Sequence, residues 1–554
     1  MGDIQSSYSS ETSPGSTETL AEDAPLLTAA TSPNTDLGYK AITTVTTSER
    51  LSNEENGLVE EESFREGDPK SKNVFAIIGL LLIGVFVSNA DATLVIATYA
   101  SISSEFGALK NAAWLTTSYT LAICAVQGIV GKLSDIYGRK AVLLVSYVGF
   151  AFGSVLTGMA QSMWQAVAGR VVSGLGGAGM VVIVSVLITD LVPLIEVATW
   201  RSYVNVLATL GRSTGGPLGG FLADTVGWRW SFIGQAPLFL LAFVLICLKL
   251  PSQLPTQHSQ IKGQPSKLRR IDFIGAILLA LTIVTFLSAL SLGGQDMNWI
   301  DPLILSLAAA SSVLGSLFIL WEIKFAFEPI FPPALVIQRD VATSYAISAF
   351  QTGAQVSMLF SVPLYFRITT NASNTQAGAY LFPSVLGNAI GGIIAGYVIR
   401  RTAKYKTLIV LATFSSCVSY FLLIVRWHEN ISVWEVLETF PGGFGTGIVG
   451  SGIFIALTSS VEHKDIAMAT GGMYLGSAFG MMTGIAVSTS VQLTSLRRLL
   501  VERLQGPGSE KVRSQPIISS VISDISTISS LAEPIQKVVV ESYVKSLEYS
   551  HGKS

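Results

Sequence analysis

Two ionisable side chains, Asp91 and Arg170, stand inside apolar runs long enough to cross a bilayer as helix. Asp91 lies in Asn89-Ala90-Asp91-Ala92-Thr93, where Thr93 adds a hydroxyl, and Arg170 opens Arg170-Val171-Val172-Ser173-Gly174-Leu175-Gly176. A charge at such a place is costly unless it is paired or faces a polar cavity. If the two meet in the interior, they can exchange a proton or bind a cationic solute between them. The alternatives are interfacial: a carboxylate near the far membrane face, and an arginine that snorkels to water. Either way the chemistry is binding and release. No nucleotide-binding glycine loop, metal-ligand cluster or nucleophile elbow occurs in the sequence. His258, His428, His463 and His551 are scattered through expected loops and the tail and are assigned no chemistry. Cys124, Cys247 and Cys417 all lie in apolar runs, as packing residues rather than a disulfide framework.

The elements that must hold these residues are membrane helices. Of 554 residues, 13% are charged and 49% are hydrophobic, with a mean hydropathy of +0.53, so the chain is an all-α polytopic membrane protein. A net charge of -2 gives no electrostatic argument for a nucleic-acid partner. Apolar runs fall at about 73–98, 112–131, 141–160, 165–188, 199–222, 229–249, 272–293, 302–323, 341–365, 377–399, 406–426, 432–459 and 467–493, thirteen in all. Between the second and third lies the turn Gly131-Lys132-Leu133-Ser134-Asp135-Ile136-Tyr137-Gly138-Arg139-Lys140. Its basic residues outnumber Asp135, which places it in the cytoplasm, and Arg400, Arg401, Lys404 and Lys406 fall on the same side by alternation.

The domain reading follows. Residues 1–72 are a disordered cytoplasmic tail, 73–249 a first bundle of six spans, 250–271 a cytoplasmic loop, and 272–323 two extra spans. Residues 324–493 are a second bundle holding spans nine to thirteen, and 494–554 a polar tail with amphipathic patches, one at Pro534 to Leu547. An odd number of spans puts the carboxyl terminus on the far side. In the first tail, Glu22-Asp23-Ala24-Pro25-Leu26-Leu27 resembles the acidic dileucine signal that sorting adaptors read, with Glu22, Leu26 and Leu27 as its key positions. The sequons at Asn371 and Asn430 fall on the far side, close to the membrane.

The turn between the second and third runs is similar to the signature of the major facilitator superfamily, through Gly131, Asp135, Gly138, Arg139 and Lys140. The resemblance implies a tight glycine turn whose charges latch one helix bundle to its neighbour. Arg170 to Gly176 resembles the family's fourth-helix motif, with Ser173 in place of the usual glutamine. Gly216-Pro217-Leu218-Gly219-Gly220 resembles the fifth-helix motif of proton-coupled antiporters, with Arg212 where a glycine is usual; Gly216, Pro217 and Gly220 are the expected hinge and packing residues. Asp91 and Thr93 resemble a motif of the fourteen-helix drug and proton antiporter branch. That branch implies two six-helix bundles with two extra central helices, and here the fourteenth helix has no apolar run to form it. The chain is most similar to fungal vacuolar transporters of basic amino acids. The resemblance implies proton-coupled movement of lysine, histidine or arginine into the vacuole by alternating access, with no cofactor besides the proton gradient and no enzymatic activity. The other readings are a plasma-membrane multidrug and proton antiporter, and a nutrient sensor that does not transport.

Overall fold

A computed structural model describes residues 69–108, 111–112, 114–251, 270–293, 297, 299–370, 372, 374–427, 433–504, 518, 520–522, 528 and 531–553. The dileucine residues Glu22, Leu26 and Leu27 and the sequon residues Asn371 and Asn430 lie outside the described residues. The first bundle is built from α1 (Pro69–Glu105), α2 (Trp114–Tyr137), α3 (Arg139–Gly158), α4 (Met163–Leu191), α5 (Leu194–Thr225), α6 (Trp228–Ile233) and α7 (Ala236–Lys249). The pieces α6 and α7 make one span, broken at Gly234-Gln235. The extra pair is α8 (Phe273–Leu292) and α9 (Pro302–Lys324). Each has an aspartate N-cap: Asp272 accepts from the Gly275 amide at 2.9 Å, and Asp301 from the Leu303 amide at 2.9 Å. A short α10 (Pro333–Val336) leads into the second bundle, made of α11 (Arg339–Thr369), α12 (Asn374–Ala379), α13 (Phe382–Thr402), α14 (Lys406–Arg426), α15 (Phe440–Ser460) and α16 (Ile466–Leu504). A last helix, α17, spans Glu533–Lys553.

Among the described residues, ten segments are long and apolar enough to cross a membrane by length and composition. They match ten of the thirteen apolar runs. The other three correspond to α5, α11 and α16, which at 32, 31 and 39 residues have the length but carry more polar residues. Much of that polarity is turned inward: Arg201, Ser202, Thr209, Gln351, Gln355 and Thr470 are all buried. A helix can afford such residues in a bilayer when its neighbours supply their partners.

The two bundles repeat one packing plan. In the first, α1 lies on α5, α4 lies between α2 and α3, and α7 packs on α3 and α1. In the second, α11 lies on α16, α15 lies between α13 and α14, and α17 packs on α16, α11 and α14. Thus α17 holds the place in the second bundle that α7 holds in the first. The stretch 494–554, expected as a polar tail, supplies the last turns of α16 and this docked helix. With 21 residues α17 is about 31 Å long. Its buried face carries Val539, Tyr543, Val544 and Leu547, while Lys537 and Lys545 stay exposed. The Tyr543 hydroxyl donates to the Val521 carbonyl at 2.9 Å. One apolar stripe at helical spacing is enough to dock it, which is why no apolar run announces it.

The bundles meet on the face that carries the α2–α3 turn, the latch face. A β-carbon at Gly131 in α2 would sit 2.5 Å from the Ala467 carbonyl oxygen in α16, so only glycine allows this approach. From the middle of α5, Asn205 and Thr209 donate to the Asn388 side-chain oxygen of α13 at 2.9 and 3.0 Å. Beyond that level the facing helices carry exposed apolar residues, including Leu218 and Phe221 on α5 and Phe382 and Leu386 on α13. The molecule is closed at the latch face.

Candidate functional site

Asp91 on α1 and Arg170 on α4 face each other in the core of the first bundle. Arg170 Nη1 donates to Asp91 Oδ2 at 2.7 Å, and both residues are 0% exposed. Gln235, at the break between α6 and α7, donates to Asp91 Oδ1 at 3.0 Å. The Arg170 Nε donates to the Leu115 carbonyl at 3.3 Å, and the guanidinium lies 4.1 Å over the Tyr119 ring. The approach of α2 that supplies both groups depends on Gly174, where a β-carbon would lie 2.6 Å from the Tyr119 carbonyl oxygen. Each carboxylate oxygen therefore has a donor, while the Gln235 Oε1 is buried without a partner. A buried ion pair compensated in this way tolerates its desolvation, but removing one partner costs about 3–5 kcal/mol.

The interfacial alternatives for Asp91 and Arg170 do not describe this arrangement, since neither side chain reaches solvent. Thr93 is not part of it. Its hydroxyl donates to the Ala90 carbonyl at 3.1 Å and lies against Gly215 of α5. The groups that sequence reasoning missed are Gln235 and Tyr119. A lone amide beside a glycine in the apolar run 229–249 was the available signal for Gln235. Tyr119 carried none, because an aromatic at a helix face is ordinary packing.

The turn residues form a second constellation. Gly138 has φ of +92°, which only glycine adopts without strain. Arg139 binds Asp135, donates to Ser134 Oγ at 2.6 Å, and reaches Asp190 at the end of α4 at 3.0 Å. Lys140 donates to the Cys247 and Leu250 carbonyls at 2.8 and 2.6 Å, capping the carboxyl end of α7. These charges tie α2, α3, α4 and α7 to one another, within one bundle. The links to the second bundle are Gly131 against Ala467, and His463 Nε2, 3.4 Å from Asp190 Oδ1. Nearby, Lys132 and Arg270 hold Glu328 at 2.9 and 2.8 Å. Burial pushes the Glu328 carboxyl up, but hydrogen bonds from Arg270 and Lys132 outweigh it and leave it below the usual glutamate range.

On α5 the close approach to α1 is made by Gly211, Gly215 and Gly219, four residues apart, which press on the backbone at Phe86, Ala90 and Leu94. Gly216 and Gly220, the expected packing glycines, face open space instead, one position round the helix from the contact. Pro217 is exposed within α5. Arg212 is exposed and donates to Asn89 Oδ1 at 3.0 Å. The second bundle holds a neutral counterpart of the Asp91 site. There, Gln351 donates to Ser416 and Thr446 at 2.9 Å each, Thr446 donates to Gln355 Oε1 at 2.9 Å, and Gln355 donates to Ser384 at 3.0 Å.

Comparison with known proteins agrees with this architecture. The family model described as "Major Facilitator Superfamily" matches residues 81–485. The vacuolar membrane amino acid uptake transporter fnx2 of Schizosaccharomyces pombe is 33% identical over 479 residues, covering 86% of this chain and 81% of the relative. The multidrug resistance protein fnx1 of the same organism is 29% identical over 503 residues, covering 90% and 93%. The vacuolar basic amino acid transporter 2 of Saccharomyces cerevisiae is 28% identical over 449 residues, covering 79% and 93%. The crystal structure of the human organic anion transporter MFSD10 shares the fold with a TM-score of 0.53 at 17% identity, covering 76% of this chain and 94% of that one. On the match to the family model and the relationship to fnx2, this chain belongs to the major facilitator superfamily and is a multi-pass membrane transporter, not an enzyme.

Proposed function

We propose that the protein moves basic amino acids, lysine, histidine or arginine, across the vacuolar membrane in exchange for protons. The observation that carries this reading is the fully buried Asp91–Arg170 pair. A proton on Asp91 removes the counter-charge of Arg170, and the ammonium or guanidinium of a solute competes for the same carboxylate. Three species contending for one buried carboxylate is the minimum needed to couple solute and proton. The names of fnx2 and of the basic amino acid transporter support the substrate class and the vacuole, and the dileucine at Leu26 and Leu27 would supply the route there. In this reading the latch face is cytoplasmic, and the present state opens away from the cytosol.

The test is ATP-dependent uptake of labelled lysine into vacuolar vesicles from cells that overexpress or lack the protein, with and without a protonophore. Uptake is expected to follow expression and to collapse with the proton gradient, and Asp91→Asn is expected to abolish it. Equal uptake in both membranes, with the protein shown to be present, overturns the assignment. The relationship to fnx1, which spans nearly all of both chains, favours drug export from the plasma membrane as the second reading. It predicts extrusion of amphipathic cations by cells that show no vacuolar lysine phenotype.

A further inference from the structure

Arg201, near the start of α5, is another buried arginine, and it differs from Arg170 in having no carboxylate partner among the described residues. It is 7% exposed. Its Nη1 donates to Ser185 Oγ at 2.7 Å and to the Tyr474 hydroxyl at 2.9 Å, and these two hydroxyls lie 2.7 Å apart. The guanidinium sits 4.2 Å over the Phe454 ring. The Nε has no hydrogen-bond partner. A guanidinium held by neutral acceptors, with one donor unmet, is an expensive group to keep at a helix interface. Its neighbours divide by bundle: Ser185 is on α4 of the first, whereas Tyr474 is on α16 and Phe454 on α15 of the second.

That division determines what happens when the latch face opens. Tyr474 and Phe454 leave with the second bundle, while Arg201 and Ser185 stay on the first, with the guanidinium turned toward the cytosol. Such a fork binds a carboxylate through two parallel hydrogen bonds, using the Nε that is idle in the closed state. We propose that Arg201 is the receiving site for the carboxylate of the solute in the cytosol-open state, and that Tyr474 and Phe454 take over the guanidinium as the gate closes, releasing the carboxylate inward. Ser185 lies fifteen residues along α4 from Arg170, about 22 Å, so the two arginines act at different stages of passage. Arg201 admits solutes that carry a carboxylate, and Asp91 deals with positive charge further in.

This inference rests on the amino-acid reading above, and its test separates the two. Labelled lysine uptake into vacuolar vesicles is competed with unlabelled lysine and with lysinamide, which keeps both amino groups but has no carboxylate. Wild type is expected to prefer lysine to lysinamide by about tenfold or more, a preference of the size that a lost charged hydrogen bond produces. In Arg201→Gln this ratio is expected to fall toward one, while Tyr474→Phe, which alters only the closed-state partner, keeps it. An unchanged ratio in Arg201→Gln overturns the inference and leaves Arg201 as a gating contact. If Arg201→Gln abolishes uptake, Arg201→Lys decides, because it keeps the charge without the fork: a reduced ratio supports the inference and an unchanged one overturns it. Absence of lysine uptake by wild type sinks the amino-acid reading itself.

Discussion

The cores of the two bundles solve one packing problem with different chemistry. Where α1 meets α4, the first bundle buries an ion pair, Asp91 and Arg170, braced by Gln235. Where α11 meets α15, the second buries Gln351 and Gln355 beside a half-buried Thr446, with Ser416 and Ser384 completing a neutral network. An uncharged network is indifferent to protons near neutrality, whereas an ion pair changes character on gaining one. Under the proton exchange proposed above, the asymmetry would put the proton-responsive role in the first bundle and leave the second as the partner against which it moves.

The sharpest way to break this comparison is to remove one charge. Arg170→Gln or Asp91→Asn leaves the other charge buried and unpaired, so the purified protein is expected to lose about 3–5 kcal/mol of stability and all transport. The double variant should recover much of the stability by thermal unfolding, yet no transport. Gln355→Leu in the second bundle takes the donor from Ser384 and one of the partners of Thr446, for an expected loss of about 1–3 kcal/mol. Lysine uptake by that variant should keep its sensitivity to a protonophore. Gly131→Ala acts on the contact between the bundles rather than on either core. It should cost about 1–2 kcal/mol of overpacking in the latch-closed state and raise the labelling of a cysteine placed at Ala467 from the latch face.

The smallest effect concerns pH. Glu328 has its carboxyl held below the usual range, so its contact with Lys132 and Arg270 contributes fully above the unfolded-state pKa and is lost only as pH falls through the lower folded one. The difference in unfolding temperature between wild type and Glu328→Gln should therefore hold steady from neutrality to about pH 5 and shrink only as the pH falls below the ordinary glutamate range. A difference that instead fades between pH 7 and 5 would show that the contact does not depend on this carboxylate.

The centre of the site was legible because charges inside apolar runs are rare enough to stand out, and Asp91 and Arg170 do meet. The turn motif was legible too, although Asp135, Arg139 and Lys140 bind within one bundle while Gly131 packs against Ala467 of the other. What could not be read is which way each neutral residue points. Gly216 and Gly220 belong to a motif, yet the helix turns Gly211, Gly215 and Gly219 toward α1 instead. Arg201 stands just inside an apolar run, where a cation passes for an interfacial one. The helix α17 escaped because docking needs one apolar stripe, and hydropathy averages that stripe with the exposed lysines.

The extra pair has a mechanical consequence. Helix α8 touches α2 on one side and α16 on the other, with Phe286 stacked on Phe479 at a centroid distance of 4.6 Å and an angle of 18°. It thus straddles the seam that must widen when the latch face opens. Nearly parallel rings can slide past one another while keeping most of their contact area, so the pair acts as a bearing: it permits shear between the bundles while resisting their separation.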